Sequence, residues 1–160
     1  MTLDQFLLKS LMSYDPKTGV FTRIKSGGGM RAGDACGHKE DRGYTRIAVG
    51  GKLYRAHRLA WLYMTGIMPV GVIDHIDGDP NNDAFSNLRS VDQKTNVQNI
   101  KRAPKHSKTG LLGANKNHKG FQARIISGGV RRNLGTFKTP EQAHAVYLSA
   151  KRELHQGNTL

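Results

Sequence analysis

The sequence contains little cysteine. Cys36 is its single cysteine, so the chain cannot form an internal disulfide or supply the paired thiolates of a zinc ribbon. We therefore expect no structural zinc, and a reducing compartment suits this composition. Long apolar runs are missing too, since no segment approaches the ~20 residues that span a bilayer. The amphipathic N-terminus, MTLDQFLLKSLM, carries an early Asp and does not resemble a secretory signal. We expect a cytoplasmic protein without a membrane partner.

Acidic residues are also few, and they are unevenly placed. The chain has 25 Lys and Arg against 12 Asp and Glu, a net charge of +13. Residues 1–100 hold 13 basic and 10 acidic residues, a net charge of +3, whereas residues 101–160 hold 12 and 2, a net charge of +10. Such an excess favours a polyanionic partner, most often nucleic acid, although ribosomal and membrane-surface proteins can be as basic. The asymmetry predicts two modules with different functions.

Local patterns predict the elements of a first module over residues 1–100. LDQFLLKSLM places four apolar side chains on one helical face (Leu3, Phe6, Leu7 and Leu11), and YDPKTGVFTRI predicts a turn followed by a short strand. The glycine-rich residues 26–43 predict a loop. YTRIAV and KLYRAH flank Gly50-Gly51 and predict a hairpin, after which AHRLAWLYMTG predicts a helix that Gly66 ends. Within residues 70–100, VGVIDHI and LRSV predict two strands, and a helix follows over about 92–100.

A second module is predicted beyond a basic linker. Residues 101–110, KRAPKHSKTG, have no periodicity and hold four Lys/Arg, a Pro and a Gly. Three short strands follow, at about 111–116, in FQARIIS and in VRRNLGTF, with Gly128-Gly129 as the turn between the last two. The closing helix is marked by Thr139 as N-cap, Pro140 in its first turn and Gln142 in a capping box. The fold class is therefore α+β, with a first module over residues 1–100 and, over residues 111–160, a three-stranded antiparallel sheet plus one helix.

The segment IDHIDGDPNNDAFSNLRSVDQKTN, residues 73–96, concentrates groups that suit phosphodiester hydrolysis. Asp74 and Asn96 offer two oxygen ligands for a hard cation, Mg²⁺ or Mn²⁺. A neutral His75 can take a proton from an attacking water. Asn87, just before the second strand, can pin the loop or hold the imidazole. Neighbours on a strand point to opposite faces, so Asp74 and His75 meet one site only if the hairpin is curved and a helix packs across it.

A calcium loop is the alternative that the acids of this segment suggest. The pattern DxDxNxD occurs at residues 77–83, but an EF-hand loop needs Gly at its sixth position and Glu at its twelfth. Counted from Asp77, these positions hold Asn82 and Leu88, which excludes the EF-hand. Taken singly, each polar residue of the segment would more often be structural than functional, and only their combination favours a site.

The combination resembles the HNH nucleases of the ββα-metal fold, specifically the Asn-ending variant among phage and intron homing endonucleases. The pattern comprises Asp74-His75, Gly78, Asn82, Asn87-Leu88-Arg89 and Asn96, and the resemblance extends back through RAHRLAWLYMTG and YDPKTGVF over most of residues 13–100. It implies that His75 is the general base, that Asp74 and Asn96 hold the metal, and that Asn87 fixes the loop and orients His75. The third motif position is Asn and not His, so the resemblance implies a neutral amide as the ligand at Asn96.

Three further residues of the first module have open roles. For His57 and Arg58 the functional interpretation is a phosphate contact or help at the scissile bond. The alternative, which we favour for His57, is a helix-start histidine packed on the hairpin. Asn99 lies one helical turn from Asn96 and is the alternative metal ligand.

The second module has the composition of a DNA-reading sheet. Alternation places Phe121, Ala123 and Ile125 on an inner face and turns Arg124, Arg131 and Asn133 outward, where they suit a DNA groove or simply face solvent. GANKNHKGFQARI, LGTF and TPEQAHAVYLSAKREL resemble the plant Apetala or ethylene-response-factor DNA-binding domain. That resemblance implies major-groove contacts at five positions, namely Asn115, Asn117, Arg124, Arg131 and Asn133. Lys105 and Lys108 of the linker are expected to contact phosphates.

These patterns together predict a two-module DNA endonuclease with a divalent cation and no small-molecule cofactor. The partner would be double-stranded DNA, and the setting a phage or mobile element. Two alternatives remain open, a DNA-binding regulator on an inactive nuclease scaffold and an RNA-binding structural protein. The sequence does not determine the target site, nicking against double-strand cleavage, or the oligomeric state.

Overall fold

The computed structural model of the protein describes residues 3–155 and 157–159. The chain divides into two compact units, Met1–Gln93 and Lys94–Leu160. The sequence places this division later, in the linker 101–110. The difference arises because residues just before the linker bond to the C-terminal segment: Asn99 accepts a hydrogen bond from the Thr159 hydroxyl at 2.7 Å, and the Lys151 ammonium donates to the Ile100 carbonyl. Residues 1, 2, 156 and 160 of the expected modules lie outside the described part of the chain.

The first unit combines two helices with three small antiparallel sheets. A hairpin joins β1 (Met12–Tyr14) to β2 (Phe21–Arg23), a second sheet has the order β3 (His38–Lys39), β4 (Thr45–Val49), β5 (Lys52–Arg55), and a third pairs β6 (Val72–His75) with β7 (Leu88–Val91). Helix α1 spans Gln5–Leu11 and α2 spans Ala56–Thr65, and a 3₁₀ turn, Phe85–Asn87, precedes β7. The core beneath these elements is built mainly from Leu8, Phe21, Ile47, Leu59 and Leu62.

Turn residues account for the best-predicted part of this unit. Gly50 and Gly51 both have positive φ, 57° and 78°, as a two-residue hairpin turn demands, and Val49 pairs with Lys52 across it. Helix α2 follows β5 directly and ends at Gly66, whose left-handed backbone (φ 79°) closes the last turn. The predicted hairpin and the predicted helix end are confirmed.

The apolar face that the sequence predicts for α1 is buried only in part: Leu3 and Leu7 are half-buried. Leu8 is the fully buried residue of this helix, whereas Phe6 is 84% exposed and Leu11 is also exposed. The seven-residue helix stops at β1, a strand that the sequence does not predict, and the burial of Met12 and Tyr14 on that strand rotates the helix toward Leu8. Two turns of helix offer too few positions for periodicity alone to determine the phase.

The second unit is a three-stranded antiparallel sheet covered by a helix. Helix α3, Gln93–Gln98, begins at the division between the units, and the strands β8 (Ala114–Asn117), β9 (Gly120–Ser127) and β10 (Val130–Phe137) follow in the spatial order β10-β9-β8. Helix α4 spans Pro140–Leu154, and the Thr139 hydroxyl accepts from the Gln142 backbone N–H, as the capping pattern predicts. None of the helices in the described part of the chain has the length and apolar character that a bilayer crossing needs.

Candidate active site

The hairpin of β6 and β7 carries the Asp-His pair. Asp74 lies opposite Arg89 and His75 opposite Leu88, and consecutive residues on a strand point to opposite faces. Both residues are buried: Asp74 is 7% exposed and His75 is 5% exposed. Each has a different partner: Nε and Nη2 of Arg89 both reach Oδ2 of Asp74, at 2.9 and 2.8 Å, whereas His75 bonds elsewhere.

His75 belongs to a buried cluster with Asp83 and His57. Its Nε2 lies 2.8 Å from Oδ1 of Asp83, a hydrogen-bond distance, and Nδ1 of His57 lies 3.9 Å from the same oxygen. The two imidazole rings meet edge to face, with centroids 5.0 Å apart at 84°. The three residues come from three places in the first unit: the strand β6, the loop that follows it, and the first turn of α2. The fold therefore assembles the cluster from residues 57–83.

The second histidine of the cluster is held neutral. Burial is the main cause that lowers the pKa of His57 to about 3, followed by electrostatic interaction with His75, Arg55 and Arg58. Among the residues that the structure describes, none forms a hydrogen bond with its buried Nδ1. The side chain therefore packs as an uncharged ring against His75, in agreement with the alternative that we favoured for a helix-start histidine.

Asn87 and Asp77 hold the loop between the two strands. The Asn87 amide accepts from the Asp77 backbone N–H and donates to the Asp77 carboxylate, both at 3.0 Å, and it also donates to the Asn82 carbonyl at 2.8 Å. Burial raises the pKa of Asp77, but hydrogen bonds from the Asp79 backbone and from Asn82 and Asn87 outweigh it, so the pKa lies below its usual value. The loop is thus organised around an ionised carboxylate.

The turn between β1 and β2 supports the loop from the other side. The Tyr14 hydroxyl donates to the Asp83 backbone carbonyl at 2.7 Å, and the Phe85 N–H donates to the Pro16 carbonyl at 2.9 Å. Gly19 has φ 76°, and a Cβ built there would lie 2.4 Å from the Asp83 carbonyl carbon. Only glycine suits both its conformation and this contact. The N-terminal hairpin therefore determines where the backbone of Asp83 lies.

The structure places Arg58 in a structural role. Its guanidinium donates to the Gly71 carbonyl at 3.0 Å and to the Pro69 carbonyl at 2.6 Å. These bonds fasten the segment before β6 to helix α2. They use two of the five N–H donors of the guanidinium, and the contact of Arg58 with a DNA phosphate stays a prediction.

The expected ligands Asn96 and Asn99 lie on and just after α3 and belong to the second unit. Asn96 is half-buried. Asn99 is buried at 4% exposure, and its Oδ1 accepts the Thr159 hydroxyl. This bond gives Asn99 a role in closing the second unit, which makes Asn96 the better candidate ligand.

The open face of the second sheet carries most of the expected DNA-binding residues. Cross-strand partners lie on the same face, and the register pairs Asn115 with Gln122, Arg124 with Asn133, and Arg131 with Ile126. Asn117 differs, since its side chain caps the following turn through the Lys119 N–H.

Asn133 has a second task beside its place on this face. Its Oδ1 accepts from Gln122 and from the Gly135 N–H at a register shift of the β9–β10 pair. A β-bulge of this kind bends a strand and re-aims its side chains. Asn133, for which the sequence predicts a contact in a DNA groove, thus also shapes the sheet face.

A groove of about 340 Å³ joins the sheet face to the basic segment before it. Lys108 and His106 line one side, and Asn115, Lys116 and Arg124 line the other. Lys105 is exposed nearby in sequence. The groove therefore brings a linker lysine and sheet residues to one electropositive surface within the second unit.

Comparison with known proteins identifies the family. Residues 54–98 match the HNH endonuclease family. The chain is 36% identical over 107 residues to Protein 3.8 of Escherichia phage T7, across 65% of this chain and 87% of that protein. The chain belongs to the HNH endonuclease family. It is also 36% identical over 88 residues to DNA endonuclease I-HmuI of Bacillus phage SP01, across 51% of this chain and 47% of that one.

The chain is also similar to a solved structure that describes DNA binding and cleavage by the HNH homing endonuclease I-HmuI. The similarity covers 92% of this chain and 88% of that chain, with a TM-score of 0.44 and 27% identity. Both sequence relatives of this HNH endonuclease are phage proteins. The matched segment includes Asp74, His75, Asp83, Asn87 and Asn96.

Two groups of donor atoms in the first unit of this HNH endonuclease could hold a divalent cation. The carboxylate oxygens of Asp74 suit a hard ion such as Mg²⁺, and this carboxylate also accepts from Arg89. Among the residues that the structure describes, His57, His75 and Asp83 have donor atoms within 4.8 Å of one another, and two imidazoles with a carboxylate suit zinc or another transition ion. His75 and Asp83 already share a hydrogen bond, so a cation at this second group would compete with that bond for one atom of each residue.

Sequence reasoning missed Asp83. The signal was present as the last acid of the DxDxNxD run, which we considered only as a calcium loop. Nothing in the local pattern relates Asp83 to His57, because the two are 26 positions apart and meet only through the tertiary fold.

Proposed function

We propose that this HNH endonuclease hydrolyses phosphodiester bonds of double-stranded DNA with the help of a divalent cation, Mg²⁺ in the first place and Mn²⁺ as a substitute. The observation that carries the proposal is the buried His75 on β6, beside the carboxylate Asp74, in a segment that matches the family. The relative DNA endonuclease I-HmuI is named for its action on DNA, which supports DNA as the substrate.

In the proposed mechanism, the protein's side chains bind, orient and move a proton. His75 takes a proton from the attacking water. A cation held by Asp74 and Asn96 would stabilise the charge that develops on the phosphate oxygens. Asn87 keeps the loop closed through its bonds to Asp77 and Asn82.

The second unit would supply affinity and site choice. Its excess of positive charge and the groove beside the sheet support this division of labour. The finer proposal is an Apetala-type sheet that reads a DNA groove through Asn115, Arg124, Arg131 and Asn133, with Lys105 and Lys108 on phosphates. We further propose a homing-type enzyme of a phage or mobile element, acting in the cytoplasm of a host cell, which the phage relatives support.

The test is a cleavage assay on duplex DNA and on structured RNA with Mg²⁺, with and without EDTA. We expect Mg²⁺-dependent cleavage of the duplex alone. His75→Ala should lose ~10²–10⁴-fold in rate while binding DNA normally, because its role is proton transfer. Asp74→Ala should be severely impaired, and Asn96→Ala less so because the amide carries no charge.

Each alternative function has its own outcome in this assay. Binding of DNA without cleavage under any metal would favour a regulator on an inactive scaffold, and selective binding of RNA would favour an RNA-binding protein. Cleavage that survives EDTA would remove the metal assignment, and near-normal cleavage by His75→Ala would remove the assignment of the base.

A further inference from the structure

The bond between His75 and Asp83 has a direction that chemistry determines. An ionised carboxylate only accepts hydrogen bonds, and a neutral imidazole carries a single N–H. At 2.8 Å from Oδ1 of Asp83, Nε2 of His75 is therefore the protonated nitrogen, and Nδ1 keeps its lone pair. Half a turn of the ring about its Cβ–Cγ axis would set a carbon opposite the carboxylate and lose this bond.

Asp83 is itself held in place by its surroundings. The Tyr14 hydroxyl binds its carbonyl, and Gly19 packs directly on its backbone. The whole residue is 3% exposed. His57 does not compete for the carboxylate through a hydrogen bond, since its Nδ1 is 3.9 Å away, and its ring packs edge-on against His75. The carboxylate of Asp83 is thus held in place and can orient the imidazole of His75.

We infer that Asp83 is the positioning residue for the general base: its carboxylate holds the proton of His75 on Nε2 and so presents Nδ1 to the attacking water. This inference rests on the proposed function, in which His75 is the base. Asp83 acts through His75 and is not expected to touch DNA.

The test joins the tautomer of His75 to the cleavage rate in the full chain. Protein with ¹⁵N-labelled histidine is treated with a chelator, so that no cation determines the tautomer, and long-range ¹H–¹⁵N spectra are recorded. The signals of His75 are assigned by their loss in His75→Ala. We expect the Nε2–H tautomer in the wild type. In Asp83→Ala we expect a mixture of tautomers and a single-turnover rate with Mg²⁺ lower by about 10- to 100-fold, with unchanged affinity for the same DNA.

Asp83→Asn decides the question if the alanine variant does not fold, because it preserves the shape of the side chain. An amide can present either its oxygen or its NH₂ group to Nε2. The rate should stay high if the Nε2–H tautomer persists and fall if the proton moves to Nδ1. Asp41→Asn is the matched control, since it removes one negative charge from an exposed position of the same unit. It should keep the wild-type tautomer and rate.

Several results would overturn the inference. They are a wild-type His75 protonated on Nδ1, an Asp83→Ala variant that cleaves at the wild-type rate, and full activity of Asp83→Asn with the proton on Nδ1. A loss confined to DNA affinity would equally overturn it. Because His75→Ala is measured alongside, a failed base assignment is distinguished from a failed role of Asp83: the first leaves His75→Ala active, and the second leaves only the Asp83 variants active.

Discussion

His57 sits in the first unit as a buried, uncharged ring, and this has a thermodynamic consequence. Its pKa is about 3 in the folded protein, against a value near 6.5 in an unfolded chain. The unfolded state therefore binds more protons between these values. The stabilising contribution is fully present above about pH 6.5 and is lost as the pH falls toward 3.

We predict that the first unit loses about 2 kcal/mol of unfolding free energy between pH 7 and pH 5 through His57 alone. His57→Gln should remove this part of the pH dependence, because glutamine does not titrate. Urea unfolding followed by the fluorescence of Trp61, the single tryptophan, reports on the first unit. The control is His118→Gln, which replaces an exposed histidine of the second unit and should leave the pH dependence as in the wild type. An equal pH dependence in His57→Gln and the wild type would contradict the prediction.

Individual residues differ in how well the sequence predicts them. Asp74 and His75 are predictable because an adjacent carboxylate and imidazole precede a loop rich in Asp, Asn and Gly. Asp83 and the structural bonds of Arg58 are not, because each depends on partners that only the folded chain brings close. A guanidinium near a basic surface suggests a phosphate contact, and only the structure reveals that Arg58 donates to two backbone carbonyls.

Among the elements, the β1–β2 turn has an influence beyond its own hairpin. Gly19 combines a left-handed φ with a backbone contact to the Asp83 loop. A side chain at this position would strain the turn and push against that loop. The turn is therefore part of the support of the cluster of His57, His75 and Asp83, although it contributes no chemical group to it.

We predict that Gly19→Ala costs about 1–3 kcal/mol of stability from its backbone conformation alone and more from the clash. Gly50→Ala is the matched control, with φ 57° and open space around it in the described part of the chain. The difference between the two variants measures the contact with the Asp83 loop. Urea unfolding monitored by Trp61 gives the stabilities, and the cleavage rate should fall only for Gly19→Ala. Equal losses of stability and activity in both variants would show that the turn does not support the loop.

Elements with a chemical start or stop signal were predictable. The Gly50-Gly51 hairpin and the capped helix α4 each follow from a few residues whose backbone or hydrogen-bonding preference is local. The burial phase of α1, the strand β1 and the grouping of α3 with the second unit were not, because packing partners from other segments determine them. Local preference is strong enough to begin and end an element but too weak to choose its neighbours.

For the whole molecule, the proposed DNA contacts are of two kinds, which differ in the part of the DNA that they touch. Phosphate contacts add affinity for every sequence and make it depend on salt, whereas base contacts change the preference among sequences. Lys105 and Lys108 belong to the first kind in our proposal, and Arg124 and Arg131 to the second.

We predict that replacing both Lys105 and Lys108 with alanine weakens binding to all duplexes alike and makes the plot of log affinity against log salt shallower by about 1.8, since each phosphate that a lysine neutralises adds about 0.9 to the slope. Arg124→Ala or Arg131→Ala should instead cost about 1–3 kcal/mol at a mapped site and relax the preference at one base pair. Affinity measured at several salt concentrations, on a mapped site and a scrambled duplex, separates the two effects. The assignment fails if the arginine variants lose affinity equally on both duplexes.

The division at Gln93 and Lys94 also bears on how such a gene can change. Tyr14, Gly19, His57, His75 and Asp83 are all encoded upstream of it, so a recombination event at this point would transfer the buried cluster and its supporting residues in one piece. The incoming half would bring a new sheet, and under the proposed function it would also have to bring an amide at the position of Asn96. Among descendants of such exchanges, the upstream half should keep its histidines whatever DNA the protein meets, while selection for a new target acts on the downstream half.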